Sequence, residues 1–231
     1  MTVSKAPKGP VVTLDGPAGS GKSSTAKEVA RRLGFRHLDS GALYRALTFA
    51  LVDAQIPEDQ WERLGADEFR ELAVTLDQTE GGFEVHVAGR VLDVELRTAE
   101  VTDRVAHVAR LPAARACLLD LQRAADAGGR LVADGRDMGT VVFPNAEVKV
   151  YLVAALEERA RRRLREEGSD SPSPQVLAAQ AQAIAQRDQR DSQRQISPLR
   201  RPDGSHKIDT TALSFEEQVA AIVRLVERLT L

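Results

Sequence analysis

The chain has 231 residues, of which 42% are apolar, so it can bury the core of one α/β domain or of two small domains. Its formal net charge of −2 excludes a general electrostatic attraction to nucleic acid or to an anionic membrane. The single cysteine, Cys117, excludes an internal disulfide and a cysteine-rich zinc site.

The first part of the chain alternates short apolar runs with amphipathic segments. Residues 10–15 are apolar and β-branched, which is typical of a buried strand in a parallel sheet. They lead into a predicted helix that has an apolar stripe along one face, and this helix ends at Gly34. Residues 35–38 are a second predicted strand, and a helix is predicted over about 42–54.

The middle of the chain has a different pattern. Residues 74–76, 83–87 and 91–94 are predicted as short alternating strands separated by glycine-containing turns, which indicates a small antiparallel insert. A helical pattern follows over 97–127 and is interrupted near Pro112.

Strands and helices alternate again in the second half. Residues 130–133, 148–153 and 206–208 are predicted strands, and residues 155–167 and 174–194 are predicted helices. A capping box at 214–217 predicts a terminal helix. The whole pattern therefore predicts an α/β fold with a doubly wound parallel sheet.

The segment after the first predicted strand matches G-x-x-x-x-G-K-[ST] at every fixed position, with a strand before it and a helix after it. Backbone amides in such a loop surround phosphates, and the helix N-terminus adds partial positive charge. Lys22 is predicted to reach the β- and γ-phosphates, and the Ser23 hydroxyl to bind Mg²⁺. The predicted ATP-binding residues here are Gly16, Pro17, Ala18, Gly19, Ser20, Gly21, Lys22, Ser23 and Ser24.

Asp134 follows the predicted strand 130–133. A carboxylate at the carboxyl end of a buried parallel strand often supports the Mg²⁺ of a phosphate-binding loop. The alternative is that Asp134 caps the next helix.

Basic residues, nearly all arginines, are concentrated between 159 and 201. Arg187, Arg190, Asp191 and Arg194 share one face of the predicted helix 174–194, and Arg159 and Arg163 form an i, i+4 pair on the helix before it. These side chains suit a site that gathers two phosphate groups for phosphoryl transfer. A solvated, salt-bridged surface is the alternative. Arg45 and Arg136 follow predicted strand ends, and so they belong to the same rim of the sheet.

Several segments, in this order and spacing, resemble the bacterial cytidylate kinase family of P-loop nucleoside monophosphate kinases. They are residues 14–17, Leu38-Asp39-Ser40-Gly41-Ala42-Leu43-Tyr44-Arg45, residues 133–144, residues 187–191, Ser197-Pro198-Leu199 and Ile208-Asp209-Thr210. The resemblance covers nearly the whole chain. It implies a five-stranded parallel sheet with helices on both faces, a core of residues 1–62 and 98–231 with a helical lid over about 155–195, and an acceptor-binding insert over about 63–97.

The resemblance also implies an activity and its residues. The γ-phosphoryl group of ATP, with Mg²⁺, would pass by direct in-line transfer to CMP or dCMP. Lys22, Arg136, Arg187 and Arg190 would be catalytic, and Arg159 and Arg163 would lie near the donor phosphates. Arg115 and Asp137 would recognise cytosine, and Asp191 the sugar hydroxyls. The implied acceptor-binding residues are Ser40, Tyr44, Arg45, Arg115, Asp134, Arg136, Asp137, Arg187, Asp191 and Arg194.

Other interpretations stay open on the residues alone. A related kinase could act on UMP, dTMP or a metabolite alcohol. A guanine-selective switch is disfavoured because residues 206–209 lack the Asn or Thr of an [NT]-K-x-D segment. Nucleic-acid binding is disfavoured by the overall charge and by the 4% aromatic content. His37, His86, His107 and His206 have no metal-site spacing and are interpreted as ordinary surface or core residues.

The sequence also leads to expectations about location and assembly. Residues 1–10 contain no apolar segment of the kind found in a signal peptide. The most apolar run, residues 46–52, is too short to span a bilayer. We therefore expect a cytoplasmic, monomeric protein that acts on small molecules and binds neither membranes nor nucleic acid.

Overall fold

The computed structural model describes residues 9–230, so most of the segment tested above for a signal peptide lies outside the described residues. Within this range the chain alternates strands and helices, with 3-10 helices at Glu58–Arg63 and Val94–Arg97 and a short π-helix at Met138–Val142. In chain order, the strands and α-helices are β1 (Val11–Asp15), α1 (Lys22–Leu33), β2 (Arg36–Asp39), α2 (Ser40–Asp53), α3 (Ala66–Glu71), β3 (Val74–Gln78), β4 (Phe83–Val87), β5 (Arg90–Val91), α4 (Ala99–Val108), α5 (Pro112–Ala124), β6 (Leu131–Gly135), β7 (Val148–Val153), α6 (Leu156–Glu166), α7 (Pro174–Ser192), β8 (His206–Asp209) and α8 (Phe215–Thr230).

The central sheet has five parallel strands in the order β2-β6-β1-β7-β8. The β1 strand lies in the middle, where both of its faces are covered, and all five of its residues are buried. Because the first strand is central, the chain winds outward from it in both directions. The predicted five-stranded, doubly wound parallel sheet is confirmed.

Side chains on the two faces of β1 pack into two separate hydrophobic cores, because successive residues of a strand point to opposite faces of the sheet. On one face, Val12 and Leu14 pack with apolar residues of α1, β7 and α8. On the other face, Val11 belongs to a larger cluster that includes α2, α5 and the small second sheet. Helices therefore cover both faces, and the carboxyl ends of the strands meet at one edge.

The predicted antiparallel insert is present as the sheet β3-β4-β5, with α3 before it. Its hairpin from β4 to β5 turns at Ala88 and Gly89, both of which have positive φ. The predicted strand over 91–94 is wrong in its extent. The strand ends at Val91, and Asp93 has φ −138° and ψ −77°, which leads into the 3-10 helix Val94–Arg97.

The predicted helical stretch over 97–127 is two helices. Pro112 is the first residue of α5, where its missing N–H costs no helical hydrogen bond. The capping box at the last helix is confirmed, because the Ser214 amide donates to Glu217 at 2.8 Å and the Glu217 amide donates to the Ser214 hydroxyl at 3.3 Å. Among residues 9–230, no helix is both long enough and apolar enough to cross a membrane.

Candidate active site

Strands of the central sheet bring carboxylates to one edge. Asp39 ends β2 and lies beside Asp134 of β6 in the parallel register, and Asp15 ends β1 beside Gly135. Burial raises the pKa of Asp39, and the neighbouring charge of Asp134 raises it further. This edge therefore holds closely spaced acidic groups next to the start of α1, of which Asp15 and Asp134 are buried and Asp39 is half-buried.

The phosphate loop, Gly16–Ser23, connects β1 to α1. Gly16 has φ +150°, and a Cβ atom there would lie 2.1 Å from the carbonyl oxygen of Leu152. Gly21 adopts a left-handed conformation immediately before Lys22, the first residue of α1. The loop can therefore pass close to β7 and turn its backbone toward a bound anion at the helix N-terminus.

Lys22 is buried at the base of this loop, with 5% of its surface exposed. Its Nζ donates to the Pro17 carbonyl at 2.6 Å and to the Ser20 hydroxyl at 3.3 Å. Burial lowers the pKa of the Lys22 ammonium well below its ordinary value, and the nearby charge of Arg136 lowers it further. An anion placed against this ammonium would reverse both effects.

Three polar side chains form a connected chain across the carboxyl edge. The Ser23 hydroxyl donates to Asp134 Oδ2 at 2.6 Å, and His37 Nε2 lies 2.8 Å from Asp134 Oδ1. Asp134 thus faces the phosphate loop, which favours the interpretation as a support for that loop over the one as a helix cap. His37, interpreted from the sequence as an ordinary residue, holds the second oxygen of the same carboxylate.

Two side chains, Arg159 of α6 and Asp188 of α7, bond to the peptide groups of Ala18 in the phosphate loop. The Ala18 amide donates to Asp188 Oδ1 at 2.8 Å, and Arg159 donates to the Ala18 carbonyl at 2.9 Å. Arg159 and Asp188 also form an ion pair with each other. Arg159 further donates to the Ala154 carbonyl at 3.0 Å, so it is a tightly bonded part of the wall of this loop.

Beside the loop lies an arginine cluster, Arg45, Arg136, Arg163 and Arg187, whose charges act on one another. Burial lowers the pKa of Arg187 to about 10, and the charges of Arg136, Arg45 and Arg163 lower it further, against the opposing effect of Asp191. Burial likewise lowers the pKa of Arg45. Such a concentration of positive charge is costly unless an anion occupies it.

Asp191 is a buried anion at the border of this cluster. Its Oδ2 accepts from Arg136 Nε at 2.9 Å, and its Oδ1 accepts from Arg194. Arg45 is held from the other side by the Leu96 carbonyl at 3.2 Å and the Thr102 hydroxyl at 3.0 Å. Helices α2, α4 and α7 and the segment after β6 thus contribute to one positively charged region.

Another ion pair lies next to this positively charged region. Buried Arg115 pairs with buried Asp137, donates to the Ala109 carbonyl at 3.0 Å, and has its guanidinium 5.3 Å from the centre of the Tyr44 ring. The Ser40 hydroxyl nearby accepts from Gln122 at 2.7 Å. These groups are suited to reading the polar edge of a flat ring.

Comparison with known proteins assigns the chain to a family. A model of the family described as "Cytidylate kinase" matches residues 12–228. The chain is 42% identical over 216 residues to a cytidylate kinase of Exiguobacterium sp. strain AT1b, covering 94% of this chain and 96% of that protein.

The chain belongs to the cytidylate kinase family.

A second member of this family, from Pseudomonas aeruginosa, is 42% identical over 224 residues, with 95% of this chain and 96% of that protein covered. The chain is therefore a phosphotransferase. Among solved structures, an uncharacterized protein from Eubacterium ventriosum is similar with a TM-score of 0.51 and 12% identity, over 96% of this chain and 99% of that chain. That likeness concerns the fold alone.

The structure of this cytidylate kinase family member brings most of the predicted site residues to the carboxyl edge of the sheet. Arg163 is at the border of the group, since it also pairs with Glu167 at 2.7 Å on the surface of α6. Arg190, predicted as catalytic, is exposed, whereas its neighbour Asp191 on α7 is buried. Helical spacing alone placed Arg190 and Asp191 on one face of α7, but the two residues differ in burial.

Sequence reasoning missed several residues that hold the site together. His37, Gln122 and Asp188 bond directly to predicted site residues. A signal existed for Asp188, which lies three residues before Asp191 and directly after Arg187. No such signal existed for Gln122, which reaches Ser40 only because α5 packs on the same face of the sheet as α2.

Proposed function

We propose that this member of the cytidylate kinase family phosphorylates CMP or dCMP with ATP by direct in-line transfer across the carboxyl edge of the central sheet. The phosphate loop would bind the donor and the arginine cluster the acceptor phosphate. The observation that carries the proposal is the position of the cluster beside Lys22, with the charge of Arg136 acting on both Lys22 and Arg187. A phosphoryl group passing between two anions needs cations at this midpoint.

On the donor side, we assign the phosphates to the loop amides, to Lys22 and to the hydroxyls of Ser23 and Ser24. A cavity of about 400 Å³ adjoins the loop at Gly21. Exposed Phe215 and the side chain of Arg162 line it, so it offers a face for stacking a base. We therefore assign the donor base to this cavity.

Mg²⁺ is assigned to the Ser23 hydroxyl, with Asp134 supporting it. These oxygens suit a hard cation that keeps most of its waters and binds substrate phosphates. Among residues 9–230 no cluster of three or more His, Cys, Asp or Glu side chains could form a complete protein cage, which fits this mode of binding. When bound with ATP, the ion would neutralise charge on the donor phosphates.

On the acceptor side, Arg45, Arg136 and Arg187 would bind the phosphate of CMP or dCMP. The dianion would supply the negative charge that the cluster lacks. Asp191 would accept hydrogen bonds from the sugar, with Arg194 fixing its carboxylate. Asp137, held by Arg115, would accept from the exocyclic amine of cytosine, a donor that uracil does not have. Ser40 and Tyr44 would line the base.

The chemical step needs no strong general base, because the attacking phosphate oxygen is already anionic near neutral pH. Lys22, Arg136 and Arg187 would hold the two phosphates in line and stabilise the charge spread over the transferred group. The catalytic role of Arg190, which is exposed on α7, stays a prediction. The lid over 155–195 and the insert over 63–97 would close around the reactants as separate units of a monomer.

The test is turnover with ATP and a panel of CMP, dCMP, UMP and dTMP, in the wild type and in Asp137→Asn. We expect CMP and dCMP to be the preferred acceptors of the wild type. In Asp137→Asn, kcat/KM for CMP should fall about 10- to 100-fold, while the much slower reaction with UMP changes little, since one base contact is worth about 1–3 kcal/mol. Equal loss with all four acceptors would contradict the role of Asp137, and a wild type that prefers UMP or dTMP would contradict the proposed acceptor.

A further inference from the structure

The peptide groups of Ala18, in the phosphate loop, are bonded on both sides by an ion pair from the lid. Asp188 Oδ1 accepts from the Ala18 amide at 2.8 Å, and Arg159 donates to the Ala18 carbonyl at 2.9 Å. We propose that Asp188 is a positioning residue that sets the shape of the phosphate loop for the donor. This inference rests on the proposed function for the assignment of ATP to that loop.

The contact is built into the interior rather than laid on the surface. The side chains of Asp188 and Arg159 are 17% and 10% exposed. The Ala18 methyl group packs with Ala160 of α6 and Ile184 of α7 in a small apolar cluster. One face of the loop is therefore fixed by apolar packing and by the ion pair together, which leaves the amides from Gly19 onward for an anion.

The negative charge of Asp188 matters as well as its packing. The Arg159 guanidinium is buried against carbonyl oxygens of Ala154 and Ala18, and the Asp188 carboxylate balances its charge. Removing that carboxylate would leave a buried cation and an unpaired amide at the same point of the loop. The loop would then have to change its shape to expose Arg159 to water.

The same helix also links the loop to the acceptor side. Arg187, which precedes Asp188 on α7, belongs to the arginine cluster, and Asp191, one turn later, bonds to Arg136. A helix has little freedom to move one of these residues without the others. Asp191 keeps its own bonds to Arg136 and Arg194 without Asp188, so the loss of Asp188 should act on the donor loop rather than on the acceptor side.

The experiment compares Asp188→Asn and Asp188→Ala with the wild type, and with Glu157→Gln as the matched control. Asn keeps an acceptor oxygen for the Ala18 amide but loses the charge, whereas Ala loses both. Glu157→Gln removes one negative charge from an exposed ion pair with Arg161 on α6. Binding of a non-hydrolysable ATP analogue is measured by calorimetry, the KM for CMP by turnover, and the unfolding temperature separately.

We expect the Kd of the ATP analogue to rise about tenfold in Asp188→Ala and about threefold in Asp188→Asn, as for the loss of one buried hydrogen bond to a charged group. The KM for CMP and the behaviour of Glu157→Gln should stay within about twofold of the wild type. If both variants bind the analogue as the wild type does and only melt at a lower temperature, Asp188 merely stabilises the fold and the inference is wrong.

Asp188→Asn is nearly isosteric, so it decides the question even if Asp188→Ala does not fold. If an Asp188 variant lost as much affinity for CMP as for the ATP analogue, the inference would also be wrong, because the effect would not be confined to the donor loop. Analogue binding needs no acceptor. A wild type that binds the analogue but does not phosphorylate CMP would therefore refute the proposed function, and the role of Asp188 would still be decided.

Discussion

The phosphate loop and the arginine cluster lie side by side, and they carry their charges in opposite ways. In the loop, the Lys22 ammonium donates to Pro17 and Ser20, and Asp188 and Arg159 balance each other. In the cluster, Arg45, Arg136 and Arg187 raise the cost of one another's charge, and Asp191 offsets only part of it. Contacts with α6 and α7 hold the loop in shape, whereas the positive charge of the cluster is only partly balanced.

The difference suggests a division of labour. A loop built from backbone amides must keep one conformation to bind several phosphate oxygens, and side chains of α6 and α7 hold it at Ala18. A cluster with excess positive charge is stabilised most when an anion binds to it, so its electrostatic free energy differs strongly between the empty and the filled site. Changes to the cluster should therefore affect the transfer step, and changes to the loop should affect donor binding.

The largest expected effect comes from Arg187→Ala. We expect turnover on CMP to fall about 1,000-fold, because one cation facing the transferred group is lost, while the affinity for ATP changes by less than about threefold. The control is Arg161→Ala, which removes an exposed arginine from α6 and should leave turnover unchanged. Steady-state kinetics and donor binding measure the two quantities. If Arg187→Ala turned over CMP nearly as fast as the wild type, the cluster would not act in the transfer step, and the proposed difference between the two regions would be wrong.

Asp15 lies where the phosphate loop meets the segment that carries Arg136, so a change there tests the contact between the two regions. It ends β1 directly before the loop, and its carboxylate accepts from the amides of Met138 and Gly139, close to Arg136, at 2.8 and 2.7 Å. Burial raises its pKa from 3.8 to about 7. The folded state therefore holds this proton more tightly than the unfolded state, so the contribution of Asp15 to stability is complete below about pH 4 and is lost as pH rises toward 7.

We expect the stability of the wild type relative to Asp15→Asn to decrease between about pH 4 and pH 7, by up to about tenfold in the folding equilibrium constant per pH unit, and to level off at higher pH. Urea denaturation of both proteins at several pH values gives this difference. Asp170→Asn, at an exposed position in the loop before α7, should show no such trend. A pH-independent difference between the wild type and Asp15→Asn would show that the proton is not held there.

The smallest expected effect concerns the insert. The hairpin turn between β3 and β4 rests on β2, where the His37 amide donates to the Gly81 carbonyl at 3.2 Å. A Cβ atom on Gly82 would lie 2.7 Å from the His37 carbonyl, whereas one on Gly81 would meet nothing within 4 Å. Since the segment after this sheet supplies the Leu96 carbonyl to Arg45, Gly82→Ala should raise the KM for CMP about fivefold, equivalent to about 1 kcal/mol.

Gly81→Ala is its matched control and should leave the KM for CMP as in the wild type. Steady-state kinetics with CMP as the varied substrate measures both. If the two alanine variants behave alike, the contact between the turn and β2 does not help to position the acceptor side.

Much of this protein followed from local sequence. The apolar β-branched runs predicted β1, β6 and β7, because a strand covered on both faces is mostly apolar. The glycine-rich loop was predictable because its conformation depends on residues adjacent in the chain. The errors were also local. The strand predicted at 91–94 stops at Val91, since an alternating pattern does not show where a chain leaves the sheet.

Tertiary structure alone decided which side chains meet. Helical spacing grouped Arg190 with Arg187 and Asp191, but the packing of α7 leaves Arg190 in solvent. His37 looked ordinary in the sequence and became part of the site because β2 lies next to β6, which brings it to Asp134. Sequence determines what each segment can form by itself, since propensity, strand burial and turn geometry act over a few residues. Contacts such as Asp188 with Ala18, 170 residues apart, depend on how the elements are arranged, and that arrangement minimises the free energy of the whole chain.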